Sequence, residues 1–214
     1  QDLGGDDEDI RCLSKPDYED LVGEFAEMLM NRRRNWLWAT KRAYTLMGMG
    51  DEYTEFCNEF GIKEVSNRWV LPIVKGITYT KIIKALNEAG SDFWSYYDDL
   101  ESKVTHNDRD PNRDGSYAIS VLATVEADEE NKNKSANKLK EENHRGITLM
   151  ERLFLELIYF LMTGEHLDIK NVTLCSGSRY DDGDVPFVVW DSGSRRVKVF
   201  YYRPVSSSDG LRSR

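Results

Sequence analysis

The residues best suited to bind another molecule are concentrated in residues 175–214, which read CSGSRYDDGDVPFVVWDSGSRRVKVFYYRPVSSSDGLRSR. Aromatic rings here stand among Ser, Asp, Gly and Arg. Aromatic side chains supply contact area at a small cost in conformational entropy, and short polar side chains supply adaptable hydrogen bonds. A nucleophile elbow is absent from the GSR and SGS stretches. The composition therefore predicts recognition of another molecule rather than catalysis.

A β-hairpin is the structure that these residues predict. Side chains alternate between the two faces of a strand, and DSGSR at 191–195 has the composition of a turn between two strands. The framework positions are Val185, Val188, Trp190, Val197, Val199 and Tyr201. The opposite positions are Phe187, Val189, Lys198, Phe200 and Tyr202. Four of these five opposite residues are large and apolar where a solvated strand would carry polar side chains.

Two interpretations explain apolar residues on both faces of the hairpin. In the first, both faces of the sheet are buried. In the second, Phe187, Val189, Phe200 and Tyr202 form an exposed patch beside Arg203, and an exposed patch of this kind marks a binding site. The second interpretation is favoured, because Ser, Asp, Gly and Arg flank the patch.

The composition of residues 179–210 supports a binding site whose residues are diversified by mutation of the gene. This window contains no Glu, Gln or Met, one Lys and one Trp, whereas the 178 residues before it contain 18 Glu, 12 Lys and 6 Met. Randomising the adenines of AAC codons produces NNC codons, which never encode Glu, Gln, Lys, Met or Trp. The depleted residue types are thus the ones that adenine mutagenesis of AAC codons cannot produce.

The framework pattern CSGSR…DGDVPxVxW…RxVxVxYYxP…LRSR follows VEADEENKNKSANKL and GITLMERLFLELIYFLMTGEHLDIKNVTLC. From about Trp69 to Arg214 the sequence resembles the variable proteins of diversity-generating retroelements. In that family a reverse transcriptase rewrites the last part of the gene at adenines, and characterised members display the varied residues on a C-type-lectin fold. Many members of the wider group end the variable region in a Gly-Phe-Arg strand, where this chain has LRSR.

The resemblance implies an α+β fold, with a C-type-lectin-like domain of a small antiparallel sheet and two helices. The domain is expected at 69–214, after an N-terminal helical segment at 1–68, with its variable region at about 179–210. The ligand is expected to be a macromolecule, with protein the favoured class. The predicted ligand-binding residues are Tyr180, Asp181, Asp182, Phe187, Val189, Asp191, Ser192, Ser194, Phe200, Tyr202, Arg203, Val205, Ser206, Ser207, Ser208 and Asp209.

Helices are predicted from periodicity and capping residues along the rest of the chain. They are expected at 18–47, 52–60 and 77–90 and in a short segment after Ser135. A further helix is expected from Thr148 to Gly164. Thr148 and Glu151 have the spacing of a capping box at its start. Residues 116–127 are β-branched and predict a strand. Residues 91–100 fit a strand or a wide turn, and residues 105–115 have the composition of a loop.

Other kinds of chemistry find little support in the sequence. The three histidines form no HxxxH or HExxH spacing, and residues 107–115 lack the ligand order and terminal Glu of an EF-hand. We therefore expect no metal and no cofactor. A net charge of −9 argues against nucleic acid as a partner, although RRRNWLWATKR at 32–42 mixes basic and aromatic residues.

The remaining expectations concern the cysteines, membranes and alternative functions. Three widely spaced cysteines indicate free thiols in a reducing compartment, which favours the cytoplasm over the cell surface or a virion. No apolar run reaches the length of a membrane span. The alternative functions are a lectin-fold enzyme related to formylglycine-generating enzymes and a fixed protein-interaction module. The oligomeric state and the role of the N-terminal helices stay open.

Overall fold

The structure is a computed structural model that describes residues 35–63, 65–208 and 210–214. Within them, Trp36–Arg214 forms one compact unit. The helix predicted at 18–47 lies mostly outside the described residues, and its last part is helix α1. The unit contains both helices and sheets, so the α+β prediction is confirmed.

Seven α-helices lie in the part of the chain that the structure describes. They are α1 (Trp36–Leu46), α2 (Gly50–Phe60), α3 (Tyr79–Ala89), α4 (Leu100–Lys103), α5 (Pro111–Asp114), α6 (Ala136–Glu141) and α7 (Leu149–Thr163). A 3-10 turn covers Glu129–Asn131. The predicted helices at 52–60, 77–90, after Ser135 and at 148–164 are confirmed as α2, α3, α6 and α7. Local capping explains this success, since Thr78, Ser135 and Thr148 each accept a backbone hydrogen bond at their helix start.

Nine strands complete the fold of the described residues. They are β1 (Arg68–Ile73), β2 (Phe93–Ser95), β3 (Val104–Asn107), β4 (Tyr117–Leu122), β5 (Val172–Leu174), β6 (Ser178–Tyr180), β7 (Val185–Asp191), β8 (Arg196–Tyr202) and β9 (Leu211–Arg212). A five-stranded sheet has the order β2-β8-β7-β5-β9, and the pairs β1-β4 and β3-β6 form two smaller sheets. The predicted hairpin is confirmed as β7 and β8, which pair antiparallel.

Residues 105–115 differ from the loop predicted there. Strand β3 covers the first of them and pairs with β6, and α5 covers Pro111–Asp114. The helix starts here because the Asp110 side chain accepts a hydrogen bond from the Asn112 backbone N–H at 2.8 Å. Pro111 fits the first helical turn because its missing N–H has no intrahelical partner there.

Helix α7 is the centre of the main core. Each residue from Leu149 to Tyr159 is buried, and Val188, Val197 and Val199 of the hairpin belong to the same core cluster. The cluster also contains residues of α1, α2 and α3. One face of β7 and β8 is therefore fixed by the helical core.

Buried charges on α7 are satisfied by partners. Arg152 donates to Asp168 at 2.7 Å and to Glu156 at 2.8 Å, and all three side chains are almost fully buried. Burial alone would lower the pKa of Arg152, but the two carboxylates outweigh it and raise the pKa above its ordinary value. Thr173 of β5 also donates to Asp168. The network joins α7 to the strand that borders the hairpin.

Candidate binding face

The outer face is the side of the hairpin and β2 that points away from α7, and it consists of Trp94, Val185, Phe187, Val189, Lys198, Phe200 and Tyr202. The register pairs Phe187 with Phe200, Val189 with Lys198 and Val185 with Tyr202. Directly paired residues lie on the same side of a sheet. Phe187, Val189, Phe200 and Tyr202 thus share one face, as the period of two predicts.

A row of aromatic rings crosses the outer face. The Phe187 ring lies 4.6 Å from Tyr202 and 5.6 Å from Phe200, measured between centroids. The Phe200 ring lies 4.9 Å from Trp94 of β2. All four residues are partly exposed. These separations are in the range in which aromatic pairs attract each other, so the row is held in place by its own contacts.

An ion pair borders the aromatic row. Lys198 Nζ donates to Asp191 Oδ2 at 2.5 Å and lies 5.8 Å from the centroid of the Trp94 ring. The hydrogen bond from Lys198 is the main cause that lowers the pKa of Asp191, and a hydrogen bond from Ser194 adds to it. Asp191 Oδ1 also accepts from the Gly193 backbone N–H at 3.0 Å. Asp191 therefore fixes both the turn and the lysine.

One end of the outer face is covered. Ala136 and Leu139 of α6 form a second buried cluster with Leu174, Val185 and Leu211, and Phe187 and Tyr202 pack against it. Val185 lies on the same side as Phe187 by register, so its grouping with Val188 and Trp190 on the core side was wrong. It is framework all the same, because α6 buries it.

The other end is open. Val189 and Phe200 are partly exposed and, with Trp94, lie outside both buried clusters of the described residues. The turn residues Ser192 and Ser194 beyond them are exposed. The two interpretations of the sequence thus each apply to one end of the face. We call these two parts the covered end (Val185, Phe187 and Tyr202) and the open end (Trp94, Val189, Lys198 and Phe200).

The predicted residues before β7 occupy a different place. The Tyr180 ring is 2% exposed and packs edge-on against Tyr97 with centroids 4.8 Å apart. It lies inside the protein and adds no surface. Asp181 and Asp182 are exposed, and Lys103 binds Asp181 at 2.9 Å, which lowers the pKa of that carboxyl.

The loop after β8 borders the covered end. Val205 is 69% exposed, Arg203 and Ser207 are exposed, and Ser206 and Ser208 are partly exposed. The Pro204 carbonyl accepts a hydrogen bond from the Asn137 N–H of α6 at 3.0 Å. This bond holds the loop beside the helix. Asp209 lies outside the described residues.

Sequence reasoning missed two residues of the face. Trp94 comes to it because β2 pairs in parallel with β8, with Trp94 opposite Lys198. The aromatic content of residues 91–100 was a signal for this contact, but parallel pairing joins distant segments. Lys198 was placed on the correct side but was left out of the predicted ligand-binding residues.

Metal, thiol and membrane features give no second site among the described residues. There, no group of three or more His, Cys, Asp or Glu side chains is arranged to hold a metal ion. Burial raises the pKa of the Cys175 thiol, which is fully buried. No helix in the described ranges is long and apolar enough to cross a membrane.

Comparisons with protein families, with curated proteins and with solved structures found no match for this chain.

Proposed function

We propose that this chain is a ligand-binding protein of the diversity-generating retroelement type, built on a C-type-lectin-like domain. Its diversified residues are Val189 and Phe200 at the open end of the outer face, the adjoining turn, and the loop after β8, whereas Trp94 and Lys198 are the constant part of the open end. The proposed ligand is a protein. The observation that carries the proposal is the partly exposed aromatic row on a hairpin whose other side is buried in the core.

The alternation along the hairpin suits a surface that changes without loss of the fold. Val188, Val197 and Val199 are at most 1% exposed and supply the packing that holds the strands. Val189 and Phe200 lie outside both buried clusters of the described residues, and surface substitutions away from core contacts usually change stability by about 0.5 kcal/mol or less. Variation on the outer side is therefore tolerated.

The two window residues that NNC codons cannot encode both have a structural role. Trp190 stacks on His166 with ring centroids 3.5 Å apart, and His166 in turn contacts the buried Glu156. Lys198 is held by Asp191. A residue with such a role is a poor position to vary. The codon pattern and the contacts therefore support the same division between constant and variable residues.

The rings and the turn provide the contacts expected of a protein-binding surface. Aromatic residues dominate the energy of protein interfaces when they are placed centrally and polar residues surround them. Phe200 and Trp94 form such a centre, and Ser192, Ser194 and Asp191 form a polar border. The surface is open rather than a deep pocket, which favours a macromolecule over a small ligand.

Sequencing the coding region for residues 175–214 in a population of the host tests this proposal. We expect substitutions at adenine positions of a nearby template copy, at Val189 and Phe200, in the turn and in the loop after β8. Val188, Val197, Val199, Trp190 and Lys198 are expected to stay constant. A uniform sequence throughout would contradict diversification and would favour the fixed protein-interaction module.

A further inference from the structure

A cavity of about 530 Å³ lies between α6, the segment that follows it, and strands β3 and β6. Its volume is in the range of sites for small molecules. Its lining includes Lys140, Arg145, Arg179, His106 and His144. It is separate from the open end of the outer face, so its role does not depend on the proposed function.

The charge of this cavity is opposite to that of the whole protein. The chain has 38 acidic and 29 basic residues, whereas the cavity is lined by Lys140, Arg145 and Arg179 and by a single carboxylate, Asp108. Asp108 is itself 3.2 Å from His106 Nε2. A local positive charge in an acidic protein attracts anions to this one place.

The cations that line the cavity form no ion pair with a carboxylate of the described residues. Lys140 and Arg145 are exposed and form no ion pair with any residue in the described ranges, whereas the neighbouring Lys134 and Lys138 pair with Glu142. Two lysines of the same segment are thus neutralised locally, whereas Lys140 and Arg145, which line the cavity, are not.

Arg179 is held in position for binding. Its Nη1 donates to the carbonyl oxygens of Ser176 at 2.7 Å and Ser178 at 2.6 Å. Burial lowers the pKa of Arg179, and only the charge of Asp108 opposes this effect. The guanidinium is therefore partly desolvated without a paired carboxylate. A fixed guanidinium loses little entropy when it binds an anion through parallel N–H bonds.

A histidine adds a further oriented donor. His144 Nε2 lies 3.3 Å from Asn131 Nδ2, and because an amide nitrogen only donates, Nε2 accepts. The neutral ring then carries its proton on Nδ1 and can donate there. Asn131 is itself buried and donates to the Ser213 carbonyl. The ring is thus fixed by the protein before any ligand arrives.

The wall of the cavity is closely packed. A Cβ on Gly146 would lie 1.7 Å from the Ser176 Oγ, and a Cβ on Gly177 would lie 2.8 Å from the Gly146 carbonyl oxygen. Arg109 also donates to this carbonyl at 2.8 Å. Close packing next to Arg145 and Ser176 restricts the backbone at this side of the cavity, and preorganisation of this kind increases affinity.

We propose that this cavity binds a small polyanion that carries two or more phosphate or carboxylate groups. Lys140, Arg145 and Arg179 supply the charge, and His144 supplies a further hydrogen-bond donor. Three cations match two or three anionic groups, and the volume is larger than a single inorganic ion requires. The binding is reversible and involves no covalent step.

Isothermal titration of the full chain at low salt, with pyrophosphate in one arm and citrate in the other, tests this proposal. We expect saturable binding of at least one probe, and the arm that binds more tightly distinguishes phosphate from carboxylate ligands. Arg145→Gln and Lys140→Gln should each weaken binding by roughly tenfold, since charge-assisted bonds are among the strong ones. Arg42→Gln, an exposed arginine of α1, is the matched control and should leave affinity unchanged.

Arg179→Gln could also disturb folding, because Arg179 donates to two backbone carbonyl oxygens. The variants at the exposed positions 140 and 145 therefore decide the outcome. Three results would overturn the proposal. One is the absence of binding for both probes at millimolar concentration. Another is binding that Arg145→Gln and Lys140→Gln leave unchanged. Binding of a short single-stranded DNA without either small anion would also overturn it, in favour of nucleic acid.

Discussion

The two faces of the β7–β8 hairpin have nearly the same residue types but opposite surroundings. Val197 and Val199 lie in the main core, whereas Lys198 and Phe200 between them lie on the outer face and are partly exposed. The outer face is itself divided into a covered end and an open end. Apolar character alone therefore does not distinguish framework residues from surface residues. The distinction depends on which element packs against each side of the hairpin.

The largest effect is expected on the core side, at the buried ion network. Arg152→Met removes the guanidinium that Asp168 and Glu156 share, so that Asp168 keeps only the more distant Arg214 and Glu156 keeps only His166 as basic partners among the described residues. Breaking a buried pair in this way costs about 3–5 kcal/mol. Urea unfolding measures the loss in free energy. Lys84→Met, which removes an exposed pair with Glu88, is the control and should cost about 0.5 kcal/mol or less. Equal losses would show that the network does not stabilise the core.

The next effect is expected at the covered end. Leu139 is 1% exposed, and Leu139→Ala removes the cover from Val185, so we expect a loss of about 3 kcal/mol in the free energy of unfolding. Lys138→Ala on the exposed side of α6 is the matched control. Greater protease sensitivity of residues 203–208 should accompany the loss, because the loop is bonded to α6. A loss under about 1 kcal/mol would mean that α6 does not cover this end.

A direct comparison of the two faces uses the same substitution on each. Val199→Ala on the core side should cost about 2 kcal/mol, because it opens a cavity in the buried cluster. Val189→Ala at the open end should cost less than about 1 kcal/mol, because its side chain is partly exposed. Thermal unfolding of both variants checks the difference. Similar costs would indicate that the open end is packed as tightly as the core.

The smallest effect is expected from the Asp191–Lys198 pair. The folded-state pKa of Asp191 is lowered, so its stabilising contribution is present above the unfolded pKa of about 4 and is lost as pH falls through the folded pKa. Asp191→Asn should therefore be less stable than the wild type at pH 7, and the difference should shrink in acid. A constant difference from pH 7 to pH 2 would contradict this assignment.

Local patterns were sufficient to predict the hairpin and the caps. The period of two identified Phe187 and Phe200 as neighbours, and Thr148 with Glu151 identified the start of α7. These features depend on residues close in sequence, or on one turn that fixes the register. They are accessible to reasoning from a single chain.

Features that join distant segments could not be predicted in the same way. The cover of Val185 by α6, the parallel pairing of β2 that brings Trp94 to the face, and the burial of Tyr180 against Tyr97 all bring together segments far apart in sequence. The basic cavity is also assembled from three separate segments of the chain. The sequence shows which residue types are present, but it does not show which distant segments come into contact.

The most direct test of the account is a protease-resistance measurement on two displayed libraries of the full chain. One library places NNC codons at Val189, Ser192, Ser194 and Phe200, and the other places them at Val188, Val197 and Val199. We expect most members of the first library to resist protease as the wild type does, and most members of the second to be degraded. Comparable degradation of both libraries would contradict the claim that the open end is a variable surface on a fixed framework.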